Sequence, residues 1–302
     1  MVKTIHMIKS EYLKFLKKRE VAGKPIIDKT GKLKNFYLPL SDWLYSLYIK
    51  DKKTKIIGLS GGQGAGKSTI TDILKFILKK KYGLDLCVFS IDDFYKTKKE
   101  RIKMSKKIHP LFSTRGVPGT HDLHFINKTF KKLREKKFKT VLIPKFDKSL
   151  DDRSKKNKWQ KIKKKPDLII LEGWCVGARH QNNSVLKRPI NIIEKERDND
   201  LKWRKTVNNY LKNQYKILFN KLDKLVYLKV PNFSYIFKWR LMQEQKLKLT
   251  SKNKKTMSRS QVKNFIMFYE RITKDMMKDF TKISDLTIFL DKSHRSKKMR
   301  FN

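Results

Sequence analysis

Lys55-Ile56-Ile57-Gly58-Leu59-Ser60-Gly61-Gly62-Gln63-Gly64-Ala65-Gly66-Lys67-Ser68 decides how the rest of the chain is read. Lys55 to Ser60 is a short apolar run of the kind that forms a buried strand. Gly61 to Ser68 matches G-x-x-x-x-G-K-[ST], and apolar residues at helical spacing from Lys67 to Lys81 predict an amphipathic helix. Strand, glycine loop and helix together make a phosphate cradle. Glycines let successive backbone N–H groups converge on phosphate oxygens, and the helix N-terminus adds its positive end. Gly61, Gly62, Gln63, Gly64, Ala65, Gly66, Lys67, Ser68 and Thr69 are therefore the expected ATP-binding residues. Lys67 reaches the β- and γ-phosphates in this reading, and Ser68 ligates Mg²⁺.

Outward from the loop, strands alternate with helices. Further apolar runs occupy Leu84–Ile91, Thr140–Ile143, Leu168–Leu171, Leu225–Val230 and Leu286–Leu290. Helical periodicity marks His121–Glu135, Asp200–Leu222, Phe233–Leu249 and Ser258–Phe280. Continuous apolar strands alternating with helices predict an α/β fold, a mostly parallel sheet covered on both faces. Residues 1–50 read as a helical N-terminal extension and 51–302 as a single globular P-loop unit. In the extension, Tyr12, Leu13, Phe15 and Leu16 form an apolar stripe, a turn follows near Gly23–Pro25, and Ser41 or Asp42 caps a helix reaching Tyr48. The lysine-rich stretch Lys246–Lys255 reads as a surface connection or a moving lid.

Composition narrows the function classes. The 302 residues carry 75 Lys+Arg against 28 Asp+Glu, a formal net charge of +47. Hydrophobic residues at 39% and aromatics at 11% are too many for a disordered polycation. No apolar run approaches the roughly 20 residues of a membrane helix, so no membrane partner is expected. Met1 to Glu20 is charged throughout and lacks the apolar centre of a secretory signal. Two cysteines, Cys87 and Cys175, cannot build a disulfide framework or a four-ligand zinc site unaided. A cytoplasmic protein is the expectation. Only 14 of the 75 basic residues are arginine, and the lysines are scattered, so nucleic acid is expected to bind only non-specifically, through net charge. Nothing in the sequence fixes an oligomeric state.

Two further strand ends carry acids. Ser90-Ile91-Asp92-Asp93-Phe94-Tyr95 places two carboxylates where parallel sheets bind ligands. Either Asp92 or Asp93 beside the γ-phosphate can take the proton of an attacking hydroxyl, as a small-molecule kinase requires, or either can simply cap the turn. Asp167-Leu168-Ile169-Ile170-Leu171-Glu172-Gly173 has the form of a Walker B strand, with Glu172 holding Mg²⁺ or its water shell and Asp167 at the outer end.

Several strings then fall in a family order. Leu38-Pro39-Leu40-Ser41-Asp42-Trp43, the phosphate loop, Ser90–Tyr95, Arg115-Gly116-Val117-Pro118-Gly119-Thr120-His121-Asp122, Pro144–Ser149 and Leu171-Glu172-Gly173-Trp174-Cys175-Val176-Gly177 occur in turn. Trp203-Arg204 and Trp239-Arg240 with Gln243-Glu244 continue them. Over roughly residues 36 to 292 the chain resembles the plant-type D-glycerate 3-kinases and their bacterial and fungal relatives, within the phosphoribulokinase, uridine kinase and pantothenate kinase group.

The resemblance implies a P-loop kinase with a helical lid that uses ATP and Mg²⁺ to phosphorylate the 3-hydroxyl of D-glycerate, a small hydroxy acid. It implies that Asp92, first acid of its string, is the base, with Asp93 tuning it or assisting Mg²⁺. Arg115, Lys145, Lys148 and Arg153, near the family strings, are the candidates for the substrate carboxylate. His121 and Asp122 either orient substrate hydroxyls or start the following helix, and Arg240 is placed to neutralise transition-state charge. The segment Phe146–Arg153 is shorter than the glycine-containing form of the plant proteins. Two other readings stand beside this one: a kinase for another hydroxylated metabolite (a nucleoside, pantothenate or a sugar acid), and a nucleic-acid-associated P-loop ATPase.

Overall fold

The computed structural model describes residues 2–18, 31–250 and 256–302. Its strands are β1 (Lys55–Gly61), β2 (Leu86–Ser90), β3 (Val141–Ile143), β4 (Phe146–Asp147), β5 (Asp152–Arg153), β6 (Gln160–Ile162), β7 (Leu168–Gly173), β8 (Lys224–Lys229), β9 (Leu286–Leu290) and β10 (Ser296–Phe301). Its helices are α1 (Val2–Lys18), α2 (Leu38–Ile49), α3 (Lys67–Tyr82), α4 (Lys98–Lys107), α5 (Leu123–Arg134), α6 (Asn183–Leu186), α7 (Ile192–Arg197), α8 (Lys202–Tyr210), α9 (Lys216–Phe219), α10 (Phe233–Thr250) and α11 (Arg259–Ile283). Among the described residues the main sheet runs β10-β9-β8-β1-β7-β2. Its first five strands in sequence are parallel, and β10 closes one edge antiparallel to β9.

Alternation along the strands explains why their sequences read as unbroken apolar runs. On β1, Ile57 and Leu59 enter one core and Ile56 the other; on β7, Leu168 and Ile170 oppose Ile169 and Leu171. The first core is filled by α1, α2, α3 and α10, the second by α5, α8, α9 and α11. Each large aliphatic side chain so buried contributes about 1.5–3 kcal/mol. This is the α/β P-loop fold read from the loop and its flanking strands.

Four local expectations differ. Thr140–Ile143 yields β3, which pairs with β6 in a separate antiparallel hairpin instead of joining the main sheet. Ser41 and Asp42 do not cap a helix: α2 already starts at Leu38, with Pro39 in its first turn and a π-helical turn, Leu33–Tyr37, leading in. Ser41 lies inside it and donates to the Leu38 carbonyl at 2.7 Å. On α1 the buried stripe is Ile8, Tyr12 and Leu16, while Leu13 is exposed. Residues 246–250 of the lysine-rich stretch extend α10; 251–255, like the turn expected near Gly23–Pro25, lie outside the described residues.

A buried charge network fastens the helices behind the site. Glu194 on α7 accepts from Arg271 on α11 at 2.6 and 2.8 Å and lies 3.5 Å from Arg204 on α8. Arg204 also pairs with Asp198 at 2.7 Å. Removing one member leaves guanidinium charge buried without its counter-ion, which is costlier than losing the pair's own attraction. Glu194→Ala is expected to lower stability by about 3–5 kcal/mol, read as the shift of the urea midpoint.

Candidate active site

The phosphate loop leaves β1 under steric pressure from α10. A side-chain carbon on Gly62 would lie 2.8 Å from Ile236, and one on Gly64 would lie 2.9 Å from the Trp239 side chain and 3.2 Å from its backbone. Gly64 also has φ +80°, the left-handed region that glycine enters without strain. At Gly62 and Gly64 only a residue without a side chain fits under α10, and α3 then begins at Lys67.

Lys67 folds back along the loop and donates to the carbonyls of Gly61 at 2.7 Å and Gly62 at 3.1 Å. Burial lowers the pKa of its amine, and Glu172 and Asp92 act the other way. Ser68 Oγ donates to Glu172 Oε1 at 3.2 Å, so the first helical turn and the end of β7 meet. Burial pushes the Glu172 carboxyl up, against the pull of Lys67 and the Ser68 hydroxyl. A serine hydroxyl and a half-buried carboxylate are hard oxygen donors of the type Mg²⁺ takes, and a cation there would favour ionised Glu172.

The two acids after β2 are sorted by their surroundings. They sit in a 3₁₀ turn, Ile91–Phe94, whose cap is Ser90. Asp93 turns inward: it accepts from Ser90 N at 3.3 Å and Phe146 N at 3.4 Å, with Lys145 Nζ at 3.7 Å. Burial raises its pKa, and Lys145 opposes that. Asp92 faces the cavity. It accepts from the Tyr95 hydroxyl at 2.9 Å and lies 3.4 Å from Lys148 Nζ. Burial pushes its carboxyl up, but Lys148, His121 and the Tyr95 hydroxyl together hold it below the usual carboxylate range.

A cavity of about 580 Å³ opens beside the loop. Gln63 to Thr69, Asp92, Arg115, Lys148, Asp151, Glu172, Trp174, Arg240 and Tyr269 are among its walls. Arg115 is paired with Asp151, which the fully buried Arg101 also holds at 2.9 Å. Arg240 is paired with Glu244 one turn along α10. A second hollow of about 290 Å³ shares Gly64 to Gly66 and Thr69 and continues past Trp239 to His294, whose ring centroid is 3.7 Å from that of Trp239.

The candidate substrate residues thus divide. Arg115 and Lys148 line the cavity; Lys145, Arg153, His121 and Asp122 do not. Asp122 caps α5 by accepting from Phe125 N at 3.0 Å, so of its two readings the structure gives the helix start. Arg153 braces the chain by donating to the Tyr95 carbonyl at 3.1 Å and Asp122 at 3.3 Å. His121 is buried behind Tyr95, rings stacked 4.5 Å apart.

Tyr95, Asp151, Trp174 and Tyr269 are cavity residues to which the sequence gave no site role. Tyr269 comes from α11, and its hydroxyl would lie 2.3 Å from a side-chain carbon on Gly116. That contact, with the positive φ of +136° at Gly116, explains the glycine of Arg115-Gly116, and no local pattern announces its partner.

His121 Nδ1 lies 2.6 Å from the Tyr215 hydroxyl, which accepts from Gly119 N at 3.1 Å and so has its own proton free for the imidazole. Burial lowers the His121 pKa from 6.5 to about 4. The folded value lies below the unfolded one, so its contribution is complete above pH 6.5 and is lost as pH falls through about 4. His121→Phe, which cannot titrate, is expected to flatten the decline in unfolding free energy across that window by up to about 3 kcal/mol, measured by urea unfolding at successive pH values.

Comparison with known proteins agrees with this geometry. The sequence model of the phosphoribulokinase / uridine kinase family matches residues 56–208. The uncharacterized kinase mug58 of Schizosaccharomyces pombe is 35% identical over 222 residues, covering 71% of this chain and 78% of that protein. The chloroplastic D-glycerate 3-kinase of Arabidopsis thaliana is 27% identical over 82% of this chain and 55% of its own length. Among solved structures, a D-glycerate 3-kinase from Cryptococcus neoformans superposes with a TM-score of 0.74 at 24% identity, over 89% of this chain and 99% of that one, which is a likeness of fold. A nucleotide cradle, a carboxylate facing it and a sequence that matches across both make this chain a P-loop kinase of the phosphoribulokinase / uridine kinase family, a phosphotransferase with an alcohol group as acceptor.

Proposed function

We propose that the protein transfers the γ-phosphoryl group of ATP to the 3-hydroxyl of D-glycerate, giving 3-phosphoglycerate. The observation that carries this reading is the placement of Asp92 in the same cavity as the phosphate loop, with the cations Arg115 and Lys148 also in its lining to meet a carboxylate. The long string Arg115–Asp122 and the plant relative favour glycerate among small hydroxylated acceptors. Gln63 to Thr69 cradle the phosphates, and the hollow that runs from Gly64–Gly66 along the Trp239–His294 ring pair receives the base. Ser68 and Glu172 would hold Mg²⁺, which would supply charge neutralisation at the phosphate oxygens. Two buried free cysteines suit a cytoplasmic setting. No described helix is long and apolar enough to cross a membrane.

The residues divide the work as follows. Tyr95 fixes one oxygen of Asp92, leaving the other to accept the hydroxyl proton as the new P–O bond forms. Lys67 exchanges its two carbonyl partners for the phosphate oxygens of the nucleotide, and the loop N–H groups stabilise the charge that develops on them. Asp93 holds the turn that carries Asp92.

ADP release with Mg·ATP and a panel of D-glycerate, L-glycerate, uridine, pantothenate and RNA tests the assignment. Turnover is expected with D-glycerate; turnover with another metabolite alone replaces the substrate, and stimulation by RNA alone replaces the reaction class. Asp92→Asn should cut kcat by about 10²–10⁴ with ATP affinity retained. A larger loss in Asp93→Asn than in Asp92→Asn would move the base. Because Asp92 in the empty site is held below the usual carboxylate range, kcat/KM should stay flat on acidification through pH 5. A limb centred near pH 6 would point to a different proton acceptor.

A further inference from the structure

Four cationic side chains line the main cavity among the described residues: Lys67, Arg115, Lys148 and Arg240. Three of them are held by partners with no part in proton transfer. Lys67 rests on two loop carbonyls, Arg115 on Asp151, and Arg240 on Glu244. Lys148 differs. Its ion-pair partner is Asp92, the carboxylate that must be free to take a proton.

The two ends of that pair are mounted differently. Asp92 is fixed by its short turn and by the Tyr95 hydroxyl at 2.9 Å. Lys148 lies in the turn between β4 and β5, and its side chain is 65% exposed, so the ammonium can swing without moving backbone. The hairpin itself is pinned through Phe146 N on Asp93 and Ser154 N on the Lys145 carbonyl at 2.8 Å. One ammonium on a four-carbon stem therefore stands between a fixed carboxylate and an open cavity.

We propose that Lys148 is a charge sensor: in the empty site it occupies one oxygen of Asp92, and an anionic acceptor draws it away and so unmasks the base. The inference rests on Asp92 being the base of the proposed transfer. An incoming carboxylate offers Lys148 an equivalent charge-assisted bond, so the exchange is near balance and is driven by acceptor binding. Tyr95 keeps the freed carboxylate oriented. A neutral polyol or water offers Lys148 no charged partner and so competes for it less strongly than a carboxylate does. The device thus favours acids over neutral alcohols in turnover as well as in affinity, and suppresses ATP hydrolysis while no acceptor is bound. Lys148 acts through Asp92 and the acceptor carboxylate; it is a positioning and specificity residue.

The test compares wild type with Lys148→Met and Lys148→Arg by ADP release from Mg·ATP, with no acceptor, with D-glycerate and with glycerol. Lys148→Met is expected to raise KM for D-glycerate about tenfold or more, the usual worth of a charge-assisted bond. The same variant should increase ADP release severalfold without acceptor and with glycerol, and Lys148→Arg should restore the wild-type pattern. Adding Asp92→Asn to Lys148→Met should abolish the increase, since the unmasked group is then gone. Thermal melting of Lys148→Met is expected to match wild type, because the side chain is exposed.

Acceptor-free ADP release that stays at or below the wild-type rate in Lys148→Met overturns the proposal, as does a parallel fall in all three rates with KM unchanged. If wild type shows no preference for D-glycerate, the substrate reading fails. The acceptor-free rate still decides the role of Lys148.

Discussion

The close approach of α10 to the phosphate loop is the contact on which the other features depend. Ile236 and Trp239 occupy the volume that side chains on Gly62 and Gly64 would need, and Leu228 does the same at Gly61. With those volumes filled, the loop has one compact course, and Lys67 is delivered into a half-buried position against the Gly61 and Gly62 carbonyls. The same helix carries Arg240 and Gln243 to the cavity wall. From its far side α11 returns along the core and brings Tyr269 against the Arg115-Gly116 turn, with Phe265 beside it in the cavity wall. Nucleotide end and acceptor end are therefore shaped by one helix pair packed on the sheet.

Electrostatics within the cavity are local, despite a net charge of +47. Three carboxyls lie near one another, and burial acts on all of them in the same direction. Their partners set the difference. Asp93 and Glu172 are raised by burial, and the nearby lysines only moderate this. Asp92, with Lys148, His121 and the Tyr95 hydroxyl about it, ends below the ordinary range. Surroundings that push neighbouring carboxyls in opposite directions are how such groups come to differ in role. The scattered lysines of the surface take little part, since solvent and salt screen charges beyond roughly 8–10 Å.

The sheet was legible from its strands because buried parallel strands need apolar residues on both faces, and such runs stand out in a lysine-rich chain. Thr140–Ile143 was misplaced for the same reason: a three-residue apolar segment fits a satellite hairpin as well as a central strand, and only its pairing with β6 distinguishes them. The Ser41 cap failed because a hydroxyl can also back-bond inside a helix, as Ser41 does to Leu38. Of the residues near the family strings, Arg115 and Lys148 reach the cavity. Lys145 and Arg153 are spent on bracing the turns around it, a distinction that sequence proximity does not carry.

By itself the sequence determined the cradle, the sheet it hangs from and the set of acids and cations near it. These follow from local rules: glycine where the backbone must curl, apolar runs where both faces are covered, carboxylates at strand ends. Tertiary structure decided which acid faces the cavity, which cations stay available and which aromatic side chains close the walls. Those choices depend on contacts between residues far apart in the chain. Asp93 is drawn inward by Phe146 N, Arg115 is taken up by Asp151, and Gly116 is kept small by Tyr269, each through packing that no spacing along the chain encodes.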